Sequence, residues 1–265
     1  IAMNNLIWIS SYPKSGNTWV RSIIFAALMG EVSLNNFGNL VPAFNASAIV
    51  NTSNDSSNPL DREVLSWNKA QQITSREAST KIQMFKTHNA AATVNGVEFP
   101  NKKLTSKAVY IVRDPRDVAV SYARHCDIDI NASIKALLDE RNCTFENDRV
   151  EFLSSWGNHI LSWQKKEFPV LILRYEDLLS APYIHIPRLL AFLGIKTNLS
   201  VVSLVELTSF ENLKRLEEKG GFNESVKQQS FFWRGKSGAG KSLIGANYKE
   251  LESAFGEIMR SFRYL

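Results

Sequence analysis

The segment YPKSGNTW, Tyr12 to Trp19, gathers a lysine, two hydroxyls, an amide and a glycine at one turn. A short apolar run precedes it and a helical pattern follows. Successive backbone N–H groups would therefore form a nest at the positive end of a helix, with Lys14, Ser15, Asn17 and Thr18 as further donors. Such a turn binds a phosphate-like anion; the plainer alternative is an ordinary strand-to-helix loop capped by Thr18. In VRDPRDVAVSYARH, Val112 to His125, Arg113 ends a strand, Asp114-Pro115 turns the chain, and Ser121 and Arg124 lie on the helix beyond. A second anion fits between Arg113 and Ser121, unless Asp114, Arg116 and Asp117 merely pair with one another at the helix start. The third constellation is FKTH, Phe85 to His88, where one of only four histidines follows a strand with Lys86 beside it. An imidazole near neutral pKa next to a cation suits a general base for a hydroxyl, although a lone histidine is often structural.

The fourth, WRGKSGAGKS from Trp233 to Ser242, contains Gly235, Gly240, Lys241 and Ser242 at the Walker A spacing. That spacing would cradle nucleotide phosphates and put Ser242 on magnesium, which makes a P-loop kinase or NTPase the main rival reading. The context disfavours it, because KQQSFFWR before Gly235 is not a convincing buried strand and 23 residues follow Ser242. The remaining readings are a flexible Gly/Lys loop or a basic lid over a phosphate.

The elements that must position these residues follow from periodicity. LIWIS (Leu6 to Ser10), KIQMFKTH (Lys81 to His88), AVYIVR (Ala108 to Arg113) and VLILRY (Val170 to Tyr175) read as buried strands. WVRSIIFAALMG after the first turn, Val118 to His125, Arg149 to Glu167, Ile184 to Leu193 and Tyr248 to Phe262 carry helical patterns. Strands alternating with helices predict a single α/β domain: a central parallel sheet flanked by helices. In such sheets ligands bind beyond the carboxyl ends of the strands. Tyr12, Lys14, Lys86, His88, Arg113 and Tyr175, which terminate the strands, would share that rim. The Asn/Ser-rich stretch 35–68 reads as a long substrate-side loop with one short helix, 220–247 as a C-terminal phosphate-binding lid, and 4–265 as the ordered core.

The chain has 265 residues, 44% apolar, enough for one large domain. A net charge of +5 fits phosphate- or sulfate-bearing ligands. It has no basic tail and no aromatic/basic interleaving, so nucleic acid is not expected. The apolar stretch Trp19 to Met29 is broken by Arg21 and reads as neither leader nor membrane span. Two cysteines, Cys126 and Cys143, make a disulfide framework improbable and a reducing, cytoplasmic setting the expectation. The scattered histidines and cysteines imply no metal.

Taken in chain order, these motifs resemble those of the cytosolic-type sulfotransferases that use 3′-phosphoadenosine 5′-phosphosulfate (PAPS). YPKSGNTW is similar to their 5′-phosphosulfate loop YPKSGTTW, and KTH to the triplet bearing their catalytic histidine. VRDPRDVAVSY resembles their 3′-phosphate strand and helix, LRYEDL the stretch near the adenine, TSFENLK the adenosine segment, and RGKSGAGK the C-terminal phosphate loop. The resemblance spans nearly the whole chain and points to a bacterial-like small-molecule member with the P-loop nucleotide-kinase-like sulfotransferase fold.

It implies PAPS as donor, PAP (adenosine 3′,5′-bisphosphate) as product, and a small-molecule acceptor bearing a hydroxyl or amine. Lys14 would bind the bridging oxygen of the leaving group. Ser15, Gly16, Asn17, Thr18 and Trp19 would contact the 5′-phosphosulfate and adenine. Arg113 and Ser121, helped by Arg234, Gly235 and Lys236, would hold the 3′-phosphate; Tyr175, Thr208 and Phe210 would line the adenosine. His88 would be the base and Lys86 would support the transferring group, so that Lys14, Lys86, His88 and Ser121 form the catalytic set. Departures fall in the C-terminal loop, where Trp233 stands in place of the first basic residue and Ala239-Gly240 in place of Asp-Trp. The family's dimerisation motif keeps only its ends, Lys241 and Glu250. Besides the P-loop rival, a catalytically idle phosphonucleotide-binding module is the other alternative, although a mere binder needs no base.

Overall fold

The computed structural model describes residues 4–52, 58–78, 82–146, 149–225 and 229–265. Lys81 of the second strand segment, and parts of the 4–265 core, the 35–68 loop and the 220–247 lid, lie outside these residues. The first strand, β1 (Leu6–Ser11), is buried at every position, as a run of six residues without polar alternation requires. It leads into α1 (Asn17–Met29), α2 (Phe37–Leu40), α3 (Ala46–Val50) and α4 (Pro59–Glu77). Next come β2 (Gln83–Thr87), the hairpin β3 (Thr93–Val94) and β4 (Val97–Glu98), and β5 (Thr105–Val112). Then follow α5 (Pro115–Cys126), α6 (Ile130–Leu138), the hairpin β6 (Cys143–Glu146) and β7 (Arg149–Phe152), α7 (Trp156–Gln164) and β8 (Val170–Arg174). The chain ends with α8 (Tyr175–Ser180), α9 (Pro182–Leu193), α10 (Val201–Leu207), α11 (Phe210–Gly220), α12 (Gly240–Leu243), a 3-10 turn and α13 (Tyr248–Ser261).

The central sheet has the order β2-β1-β5-β8, and the expected α/β class with a parallel sheet flanked by helices holds. All four predicted strands form. Two compact units are distinguished: one comprises 1–12, 42–110 and 136–172, the other 13–41, 111–135 and 173–265. The first unit is organised around Trp8. Its ring meets Phe44 and Phe99 edge-on at 5.0 and 4.9 Å, and its Nε1–H donates to Thr105 Oγ1 at 3.0 Å. Each such aromatic contributes roughly 1.5–3 kcal/mol by burial, and the indole N–H is satisfied as burial demands. The second unit has its own core, in which Phe25, Leu34, Phe37, Leu213, Phe222 and Phe232 are buried together. Among the described residues no helix is long and apolar enough to cross a membrane.

Two stretches differ from expectation. Residues 59–77 form a 19-residue helix, so the expected 35–68 loop is helical from Pro59 onward. Asn58 caps it by accepting from Leu60 N, and Pro59 opens it. Its apolar stripe, Val64, Trp67 and Ala70, is diluted by Glu63, Ser66, Gln71, Thr74 and Ser75, all buried. These polar residues are satisfied internally: Glu63 accepts from Ala46 N and Ser47 N, and Gln71 accepts from Asn101 N. The helix expected over 149–167 starts only at Trp156, capped by Ser155. Residues 149–152 instead pair antiparallel with β6. That register puts Glu151 in the interior beside His88.

Candidate active site

In the second unit the turn before α1 has the backbone alternation that a nest requires. Lys14 stands at φ 66° and Gly16 at φ 105°, both left-handed. A lysine at positive φ costs of order 1–3 kcal/mol, a strain typical of ligand loops. Gly16 cannot be replaced without movement, because a Cβ there would lie 2.7 Å from Tyr175 Cδ2. No side chain caps α1. Thr18, the cap of the plain-loop alternative, is turned to Glu224, its Oγ1 donating at 3.4 Å. Ser15 is wholly buried, yet among the described residues its hydroxyl has no hydrogen-bond partner; Trp19 Nε1 and Arg113 Nε are likewise buried and unpartnered there. Leaving such donors unmet costs about 1–3 kcal/mol each. A cradle of uncapped N–H groups and orphaned donors fits a phosphate or sulfate ester.

Arg113 ties the turn to the C-terminal loop: one Nη donates to the Lys14 carbonyl and the other to the Lys236 carbonyl, each at 3.1 Å. Its guanidinium lies 4.3 Å from the centre of the Tyr175 ring, which meets Trp19 edge-on at 5.5 Å. The Lys14 ammonium rests 4.1 Å over the Phe231 ring. Ser121 is half-buried on α5, and no hydrogen bond joins it to Arg113 among the described residues. Thr208 is buried at the end of α10 with its hydroxyl donating to Leu204 O at 2.7 Å. Phe210 packs edge-on to Phe232, and a Cβ on Gly235 would sit 2.3 Å from the Phe210 ring. Arg234 lies over Trp233 at 5.6 Å.

Asp117 pairs with neither Asp114 nor Arg116. Asp114 caps α5 and holds Arg116, whereas Asp117 accepts from Ser237 Oγ at 2.9 Å, Gly238 N at 2.8 Å and Gly240 N at 2.7 Å. Two backbone donors of the Walker-like segment, Gly238 N and Gly240 N, are thus spent on the chain's own carboxylate. Gly240 is pressed against α5, where a Cβ would lie 2.3 Å from the Arg116 carbonyl carbon. Lys241 points to the Tyr248 ring at 4.4 Å and to Glu252 at 3.5 Å. A phosphate-binding P-loop needs those N–H groups and that ammonium, so this segment is a docked loop. Glu217, which the motif reading overlooked, pins the same region by accepting from Phe231 N, Phe232 N and the Ser225 and Ser230 hydroxyls. Burial alone would raise its pKa; these four donors outweigh that and hold it below the ordinary carboxylate value.

In the first unit His88 follows β2. Its Nδ1 is 2.7 Å from the Ser11 carbonyl, which can only accept, so Nδ1 carries the proton and Nε2 presents a lone pair. Burial, then the Lys86 charge, depress its pKa well below 6.5, with Arg149 and His159 acting the same way; the Ser11 bond opposes them. His88 N donates to Glu151 Oε1 at 2.5 Å, and its carbonyl accepts from His159 Nε2 at 2.9 Å. His159, buried and held to a pKa of about 4 mainly by desolvation, receives the Tyr110 hydroxyl at 2.8 Å on its other nitrogen. Lys86 is almost fully buried, and its backbone bonds to Pro42 O and Phe44 N beyond the sheet edge. Tyr12 spends its hydroxyl on Ala136 O and Asn142, a structural use. Of the strand-terminal residues, Lys14, Arg113 and Tyr175 therefore meet in the second unit, and Lys86 and His88 share the end of β2 in the first. Glu151 was hidden by the helical reading of 149–167; alternation of Val150 and Phe152 around it was the available signal.

The sulfotransferase domain family matches residues 4–262. The chain belongs to that family. It is 28% identical over 252 residues to cytosolic sulfotransferase 8 of Arabidopsis thaliana, covering 90% of this chain and 71% of that one. To sulfotransferase 1B1 of Canis lupus familiaris it is 30% identical over 212 residues, covering 78% and 66%. Among solved structures it resembles retinol dehydratase in complex with androsterone and the inactive cofactor PAP, with TM-score 0.65 and 21% identity over 96% of this chain and 80% of that one. This sulfotransferase accordingly has the fold expected from its motifs, and the kinase reading falls.

Proposed function

We propose that this sulfotransferase transfers a sulfuryl group from PAPS to a hydroxyl or amine of a small-molecule acceptor in the cytoplasm, the two units acting as one domain. The observation that carries the donor assignment is the buried, unpartnered Ser15 hydroxyl in an uncapped, left-handed turn at the start of α1. The PAP complex of the structural relative and the cytosolic relatives support the same reading. PAPS, when bound, supplies the activated sulfuryl group.

Ser15, Gly16, Asn17 and Thr18 bind the 5′ end, Arg113 and Ser121 the 3′-phosphate with Arg234, Gly235 and Lys236, and Trp19, Tyr175, Thr208 and Phe210 the adenosine. Lys14 leaves Phe231 to neutralise charge on the departing 5′-phosphate, a preorganised electrostatic role. His88 Nε2 takes the acceptor's proton, Ser11 fixing the tautomer, and Lys86 supports the transferring group. Ser121, carried in the catalytic set by resemblance, touches the 3′-phosphate rather than the reacting atoms in this reading.

The test is calorimetric titration with adenosine 3′,5′-bisphosphate and with ATP, each with and without magnesium, followed by turnover of His88→Asn with PAPS. Metal-independent bisphosphate binding, and a turnover loss of about 10²–10⁴-fold in the variant with binding intact, is expected. Magnesium-dependent ATP binding without bisphosphate affinity would overturn it.

A further inference from the structure

We propose that Arg124 makes an additional contact to the 3′-phosphate and that Trp233 is the plate that holds its guanidinium in place. The proposal rests on reading Arg113 and Ser121 as the 3′-phosphate pair. Arg124 follows Ser121 by three residues on α5, so the two side chains share one helix face. Its guanidinium lies 4.8 Å from the centre of the Trp233 ring, and Arg234 lies 5.6 Å from the same ring. Trp233 is 38% exposed, so this stack belongs to a surface and not to the core.

Three other stacked cations of this unit have acidic partners: Arg21 over Phe37 pairs with Glu224, Arg174 over Tyr264 with Asp177, and Lys241 over Tyr248 with Glu252. Among the described residues Arg124 and Arg234 pair with no carboxylate. Among the described residues the polar contact of Arg124 is a long bond to Ser230 O at 3.5 Å. Two guanidinium groups on one indole repel each other. A phosphate monoester carrying nearly two negative charges turns that repulsion into joint attraction. A planar fork already oriented by the indole loses little freedom on binding it. The chain thereby uses an arginine from α5, stacked on a loop tryptophan, to recognise the group that separates this nucleotide from an ordinary adenosine 5′-phosphate.

Calorimetric titration of wild type, Arg124→Met and Arg124→Lys with adenosine 3′,5′-bisphosphate and with adenosine 5′-monophosphate tests this, with melting curves to verify folding. Arg124→Met is expected to weaken the bisphosphate by about tenfold or more and to leave the monophosphate unchanged, with Arg124→Lys between. If Arg124→Met leaves the preference for the bisphosphate intact while Arg113→Met removes it, the site reading stands and the role of Arg124 is refuted. A wild-type protein that binds both nucleotides alike removes both.

Discussion

Asp117→Asn isolates what docks the C-terminal loop. The wild-type carboxylate accepts three hydrogen bonds, one oxygen serving Gly240 N and the other serving Gly238 N and Ser237 Oγ. An asparagine keeps one oxygen. Its best placement retains the Gly238 and Ser237 bonds and sets an N–H against the buried Gly240 N–H. Losing one charge-assisted bond costs about 1.5–3 kcal/mol, and an unmet buried N–H costs about 1–3 kcal/mol more. These overlap, so a net of about 3 kcal/mol is a reasonable centre, or roughly a hundredfold in the docked-to-undocked ratio. The loop carries Arg234, Gly235 and Lys236, so apparent affinity for adenosine 3′,5′-bisphosphate falls by up to that factor as the undocked form becomes populated. Calorimetry reads the affinity, and amide exchange over 233–245 reads the docking. Wild-type affinity together with unchanged protection of Gly238 and Gly240 would refute the reasoning. Loss of affinity without loss of protection would place Asp117 in direct ligand contact instead.

Lys241→Ala leaves bisphosphate binding within about twofold of wild type, because its ammonium is half-exposed over Tyr248 and near Glu252; collapse of binding on calorimetry would restore the Walker reading. Gly16→Ala forces the Tyr175 ring aside at a cost of about 1–3 kcal/mol, lowering both the melting temperature and the bisphosphate affinity. The His88 pKa lies well below 6.5, so its base form is complete above that value and kcat/KM shows no acid limb near pH 6.5; a limb there would contradict the burial argument. His159 binds its proton at about pH 4 when folded and near 6.5 when unfolded, so stability is full above pH 6.5 and declines as pH falls toward 4. The decline from this group is about 3 kcal/mol, read from melting temperatures across that range.

The four strands of the central sheet and the turn at Tyr12 to Trp19 were legible in the sequence, which also singled out Lys14, Arg113 and His88 as site candidates. Those inferences need only local period and the donor content of a short segment, and short segments fold by rules that act over a few residues. Tertiary structure decided the rest. Whether GKSGAGKS is a P-loop depends on where its N–H groups point, and a carboxylate more than a hundred residues away, Asp117, answers that. The helix 59–77 was illegible because its buried face is partly polar, and its polar groups find partners such as Ala46 and Asn101 only in the folded chain. The tautomer of His88 likewise comes from Ser11, which the pairing of β1 with β2 brings to it, and its lowered pKa comes first from burial in the folded chain. Periodicity reports which face is apolar; it cannot report which distant partner satisfies a buried charge.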